Sequence, residues 1–147
     1  MLRIKIIVVG KKHDALFSSA ISHFETRVSR HASLPWDIIP PSNAKTESKQ
    51  IINKCADSTV VLLDEVGTAY GSEDVARLLQ RAQNQSAKEL CFVIGGAYGV
   101  DASVKARADV VVSLSALVFP HQLVRLILIE QLYRGFDILA GGKYHHS

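Results

Sequence analysis

Cysteine is scarce in this chain: there are two, Cys55 and Cys91, far apart and without the close spacing of a zinc or redox motif. That excludes a disulfide framework, and both residues read as reduced thiols. Long apolar runs are missing as well. No segment reaches the ~18 consecutive apolar residues of a membrane span. The opening "MLRIKIIVVGKKHD" has too short an apolar core for a secretory leader and lacks a small-residue cleavage site. Charge of one sign is modest, at a net +3 with no basic block, so nucleic acid is a permitted partner but not one that composition demands. Repeats and low-complexity tracts are absent, which removes solenoids and biased linkers. The expectation is one soluble, cytoplasmic domain over residues 1–147.

What is present is alternation. Hydrophobic residues make up 48% of the chain, enough for a core. "RIKIIVVG" (3–10), "TVVLLDE" (59–65), "LCFVIGG" (90–96) and the start of "DVVVSLSALVF" (109–119) are near-continuous apolar runs and read as buried strands. "WDIIPP" (36–41) is a short strand stopped by prolines. Between the strands, residues 14–30 have helical apolar spacing. Residues 42–50 are polar and read as a loop running into a helix that ends near Cys55. "GTAYGS" is a turn. Ser72 reads as the N-cap of a helix with Glu73 and Asp74 in its first turn. Asp101 caps a short helix, and Pro120 opens a long one, 120–140, ended by Gly141 and Gly142. Strands alternating with helices imply an α/β fold, a mainly parallel sheet with helices on both faces. The long helix carries apolar residues on more than one stripe, from Leu123 to Leu139. It is either buried centrally or covered by another chain; for a domain this short the second reading predicts a homodimer.

The glycines of "CFVIGGAYGVD", Gly95, Gly96 and Gly99, follow a buried strand, where open α/β sheets bind ligands. Their spacing is neither the dinucleotide fingerprint nor a Walker loop. A tight turn and a ligand site explain them equally well. Ser113 and Ser115 are ambiguous in the same way, and no nucleophile elbow surrounds them. Of six histidines, His13, His23 and His31 read as surface residues, His121 lies at a helix start, and His145 and His146 sit in the tail. None has metal-ligand spacing, so no metal is expected. The tail "GGKYHHS" holds Lys143, Tyr144 and two histidines, groups suited to phosphate or base contact.

"VIGGAYGVD", "SLSALVFPHQLVRLILIEQLYRGFDIL" and the terminal "YHH" together carry a resemblance that runs the length of the chain. The sequence resembles the ribosomal RNA large subunit methyltransferase H family, small enzymes of the SPOUT class. The resemblance implies a SPOUT-type α/β fold with a trefoil knot in its C-terminal half. It also implies a homodimer that uses S-adenosyl-L-methionine to methylate N3 of a pseudouridine in 23S rRNA, in helix 69 of the assembled 70S ribosome. The cofactor residues it implies are Leu63, Gly95, Leu114, Ser115, Ala116, Leu117, Val118 and Phe119. For catalysis it points to His145, with His121 second; for RNA binding, to Arg125, Arg134, Lys143 and Tyr144. The plainer alternative is that His121 only caps its helix and Arg125 only pairs with Glu130 or a main-chain carbonyl. The chain departs from the family pattern at Val66, Thr68 and His146, where basic residues are usual, and at Val118, where Thr is common. Those departures support one competing function, a ribosome-binding module of the same fold without catalysis.

Overall fold

The β-branched run at the start forms β1, Leu2–Val9, in a computed structural model that describes residues 1–85 and 89–146. Asp14 accepts a hydrogen bond from the Leu16 N–H and starts α1, Ala15–Val28. Next come β2, Ala32–Ser33, and β3, Trp36–Ile39. Both pair with the same edge of β1, from Leu2↔Ala32 to Val9↔Ile39, so they are one edge strand interrupted at Leu34 and Pro35. Proline has no N–H to donate, and the Ile6 N–H donates instead to the Pro35 carbonyl at 2.9 Å. The remaining elements are α2, Ala44–Cys55; β4, Thr59–Ala69; α3, Ser72–Asn84; β5, Glu89–Ile94; α4, Ala102–Arg107; β6, Val110–Ser113; and α5, His121–Leu139.

The strands form one sheet in the order β2-β1-β5-β4-β6, with β3 continuing β2 along β1, and every pair is parallel. Helices cover both faces, as the alternation predicts. Side chains such as Ile4, Ile6, Phe92, Leu128 and Leu132 fill the face that carries α1, α3 and α5. Ile7, Ile51, Leu62 and Val93 fill the face under α2 and α4.

Four details differ from the sequence reading. Residues 44–50 are helix rather than loop, with Asn43 accepting from the Thr46 N–H as N-cap. The buried face of α2 has regular helical spacing, Glu47, Ser48, Ile51 and Cys55, but its first two members are polar and hide the period. At α3 the cap is Gly71, not Ser72, and the Asp74 carboxylate accepts from the Gly71 N–H at 2.7 Å. β4 continues to Ala69 through part of the expected turn, because residues 64–67 bulge out before Thr68 rejoins β6 at Val112. Finally, α5 starts at His121 with Pro120 as its N-cap rather than its first residue, and it packs against both α1 and α3, burying Leu128, Ile129, Leu132, Gly135 and Phe136. Leu123, Val124, Leu126, Ile127 and Tyr133 remain half-exposed.

Candidate active site

Parallel strands end on a common edge, and the chain leaves β1 and β5 in opposite directions, β1 toward β3 and β5 toward β6. A crevice opens at such a switch point. The cavity found here, about 210 Å³, lies on the same edge one strand over, at the ends of β4, β5 and β6. That is several times the ~30 Å³ share of one water molecule, so the space suits a ligand. Leu62 and Leu63 line it from β4, Gly95, Gly96 and Gly99 from the loop after β5, and Leu114 to Phe119, Ala116 excepted, from the loop after β6. Ala116 is exposed and turned away from the lining. His121 and Val124 close the cavity from the first turn of α5. Asp64 and Glu65 give its rim negative charge.

The glycines serve the turn first. A Cβ at Gly95 would lie 2.9 Å from Val100 Cγ1 and 3.4 Å from the Gly99 carbonyl carbon, so this backbone is bare because its own loop folds back on it. A Cβ at Gly96 would meet Glu47 Oε1 at 2.9 Å and Val9 Cγ1 at 3.1 Å. Gly99 has φ +73°, which β-carbon-bearing residues rarely adopt, and its N–H donates to the Gly96 carbonyl at 2.9 Å. The closed turn is what leaves the hollow beside it.

Two residues that sequence reasoning passed over support this turn from behind. Ser48 Oγ accepts from the Asp101 N–H at 3.0 Å. Glu47 accepts from the Ser42 N–H through Oε2, while its buried Oε1 faces Gly96 with no hydrogen-bond partner among the described residues. Their signal was visible only as polar residues at the buried spacing of a helix whose first turns read as loop. The serines of the third loop act similarly. Ser113 Oγ donates to the Ser115 carbonyl at 3.0 Å, and Ser115 Oγ accepts from the Leu117 N–H at 3.0 Å, an arrangement that shapes the loop.

Beside the cavity, α5 grips the segment after β1. The Asp14 N–H donates to Gln122 Oε1, and Gln122 Nε2 donates to the Lys12 carbonyl. Arg125 is 1% exposed, and its Nη1 donates to the Lys11 carbonyl at 2.8 Å. Expected to face RNA, it instead points inward to main chain, the plainer of its two sequence readings. His13 and His31 also differ from the expected surface histidines. His13 packs edge-on against Trp36 with ring centroids 4.4 Å apart, and His31 stacks on Phe136 at 4.9 Å.

Burial lowers the His13 pKa, the Arg125 charge lowers it further, and Glu25 opposes both. A histidine with a depressed folded pKa takes up its proton in the unfolded chain first, so folding loses stability as pH falls below the unfolded value of about 6.5. The midpoint of urea unfolding should therefore fall between pH 7 and pH 5, and His13→Gln should flatten that slope. An unchanged slope in the variant would remove His13 from the account.

The tail residues lie elsewhere. The Tyr144 N–H donates to Asp137 Oδ2 at 3.0 Å, folding the tail back on the last turns of α5. Arg134 sits over the Tyr144 ring at 4.6 Å, donates from Nε to Glu130 Oε1 at 2.7 Å, and has Nη1 3.1 Å from His145 Nδ1. The contact with Glu130 raises the Arg134 pKa. Lys143 is exposed beside them. His121 is thus in the first turn of α5, whereas His145 is held beside Arg134, about 20 Å further along the helix at the usual rise. Among the described residues no group of three or more His, Cys, Asp or Glu is placed to hold a metal ion, and no helix is long and apolar enough to cross a membrane.

A parallel sheet with a glycine-turned cavity at three strand ends defines a class, and the comparisons agree on it. The family model described as predicted SPOUT methyltransferase matches residues 2–145. A crystal structure of a probable methyltransferase from Bordetella pertussis Tohama I shares the fold, with a TM-score of 0.58 over 90% of this chain and 95% of that one, at 11% identity. Within the class, the chain is 39% identical to the ribosomal RNA large subunit methyltransferase H of Flavobacterium johnsoniae, covering 99% of this chain and 100% of that protein. It is 38% identical to the protein of the same name from Syntrophotalea carbinolica, covering 99% of each. The chain belongs to the ribosomal RNA large subunit methyltransferase H family of SPOUT methyltransferases.

Proposed function

We propose that this protein is an S-adenosylmethionine-dependent methyltransferase that modifies N3 of a pseudouridine in 23S rRNA, in helix 69 of the assembled ribosome, and that it works in the cytoplasm as a homodimer. The observation that carries the reading is the cavity. Seven of the eight residues expected to hold the cofactor, Leu63, Gly95, Leu114, Ser115, Leu117, Val118 and Phe119, converge on it from three separate loops. The lining fits that cofactor. Leu63, Leu117 and Phe119 offer apolar walls for a purine, and loop main chain offers donors and acceptors for its edge. Asp64 and Glu65 place negative charge on the rim, suited to a cationic ligand. The trefoil crossing belongs to this reading through the family resemblance.

When bound, S-adenosylmethionine supplies an electrophilic methyl group. The residues of this chain then have two tasks, orientation of the target base and removal of the N3 proton. His145 is assigned the proton, with His121 as the second candidate. Arg134, Lys143 and Tyr144 hold RNA beside it. Because His145 is held beside Arg134 and not at the cavity of its own chain, the second subunit has a defined role. Two chains packed antiparallel along the half-exposed flank of α5 bring the tail of one to the cavity of the other. Arg125 positions the segment after β1 and is not assigned an RNA contact.

Radiolabelled methyl transfer to intact 70S ribosomes lacking the modification tests the reading, together with sedimentation of the free protein. Incorporation at one pseudouridine and a dimer are expected. Binding of S-adenosylhomocysteine without product would leave a ribosome-binding module, and a monomer would remove the composite site.

A further inference from the structure

One aromatic ring is out of place. Of the ten Phe, Tyr and Trp residues in the chain, Tyr98 alone is exposed, at 81%. The other nine are buried or half-buried. Tyr98 lies within the Gly96–Gly99 turn, which is closed by the Gly99 N–H to Gly96 carbonyl bond and anchored through Asp101 to Ser48. The ring is therefore displayed by a fixed turn, and its hydroxyl makes no hydrogen bond to the described residues.

Three more exposed apolar side chains belong to the same rim: Val66 after the straight part of β4, and Leu117 and Val118 after β6. Leu117 and Val118 line the cavity itself, as do Ala97 and Gly99 on either side of Tyr98. Far apart in sequence, the four residues belong to the loops that meet at the cavity: Leu117 and Val118 line it, Val66 follows the lining residue Glu65, and Tyr98 follows the lining residue Ala97. An exposed ring gains nothing for folding, since it buries no surface and satisfies no polar group. Its place at the mouth is where a reacting base has to arrive.

Resting on the RNA methyltransferase reading above, we propose that Tyr98 is the stacking platform for the nucleobase presented at this mouth, with Val66, Leu117 and Val118 as its apolar collar. A base drawn out of a stem-loop has lost its stacking neighbours, and an aromatic face replaces them. The body of the second subunit is assigned to the flank of α5, and only its tail reaches the cavity, where it is assigned to the same RNA.

Tyr98→Ala, Tyr98→Leu, Tyr98→Phe and Tyr98→Trp separate stacking from plain apolar cover. Replacing a stacking ring by alanine costs on the order of 10-fold in binding. Tyr98→Ala and Tyr98→Leu should raise KM for ribosomes by about that factor, with kcat and S-adenosylhomocysteine affinity within about twofold of wild type. Tyr98→Phe and Tyr98→Trp should keep the wild-type KM. Three results would overturn the assignment: Leu serving as well as Phe, Ala dissociating the dimer, or Ala weakening S-adenosylhomocysteine binding. A wild-type chain that methylates no ribosome removes the parent reading and this one together. An active wild type with an unaffected Ala variant removes only this one.

Discussion

A chain that stops at Gly142 should bind S-adenosylhomocysteine as the full chain does and transfer methyl groups at least about 100-fold more slowly, the low end of what a lost proton acceptor costs. The structure separates the two properties. The described part of the tail contacts α5 through Asp137, Arg134 and the Tyr133 ring, 4.8 Å from that of Tyr144. None of these residues lines the cavity. The lost contacts are half-exposed, so the fold should survive, and the unfolding midpoint in urea checks that directly. A wild-type rate from the shortened chain would take His145 and its neighbours out of catalysis.

The same variant tests how the site is assembled. Mixed dimers of the shortened chain with a chain whose cavity is damaged should recover activity, because one of the two sites then has an intact cavity from one subunit and an intact tail from the other. If cavity and tail served the same chain, no mixed dimer would contain a complete site. Recovery therefore requires exchange across the interface, and its absence would place the tail's function within its own subunit.

Gly95→Val is the second large expected effect, a loss of S-adenosylhomocysteine affinity of at least about 100-fold, read by calorimetry. A Cβ there already meets Val100 Cγ1 at 2.9 Å, and valine adds two methyl groups to that conflict. The loop 96–100 must shift, and with it the floor of the cavity. Overpacking of this kind costs about 1–3 kcal/mol, and the sheet core beneath remains intact, so the protein should stay folded. Gly99→Ala is the graded companion. Its Cβ would stand in open space, yet φ is +73°, and the left-handed conformation costs roughly 1–2 kcal/mol for an L-residue. Its loss of affinity should be smaller. Unchanged affinity in Gly95→Val would detach the cavity from the cofactor.

Much of this architecture could be read in the residues. β1, β5 and α1 fall where the apolar period places them, because burial on both faces leaves a continuous β-branched run and a helix repeats its buried stripe about every three to four residues. The start of α2 could not be read that way. Its buried positions Glu47 and Ser48 are polar for the sake of a loop some 50 residues later, so a reading based on hydrophobicity saw nothing buried. Arg125 was misplaced for a related reason. A guanidinium is expected in water, and only the packing of α5 on the segment after β1 supplies the Lys11 carbonyl that holds it inside.

The sequence alone determined the alternating fold and where its buried strands begin, since these follow from local periodicity and turn chemistry, while the candidate cofactor residues came from the family resemblance. Tertiary structure decided which loops meet, that the glycines are bare for one another's sake, and that His145 is held beside Arg134, away from His121 and the cavity. Those are matters of distance between residues remote in the chain. Distance is set by how strands order themselves in the sheet, which no local pattern encodes.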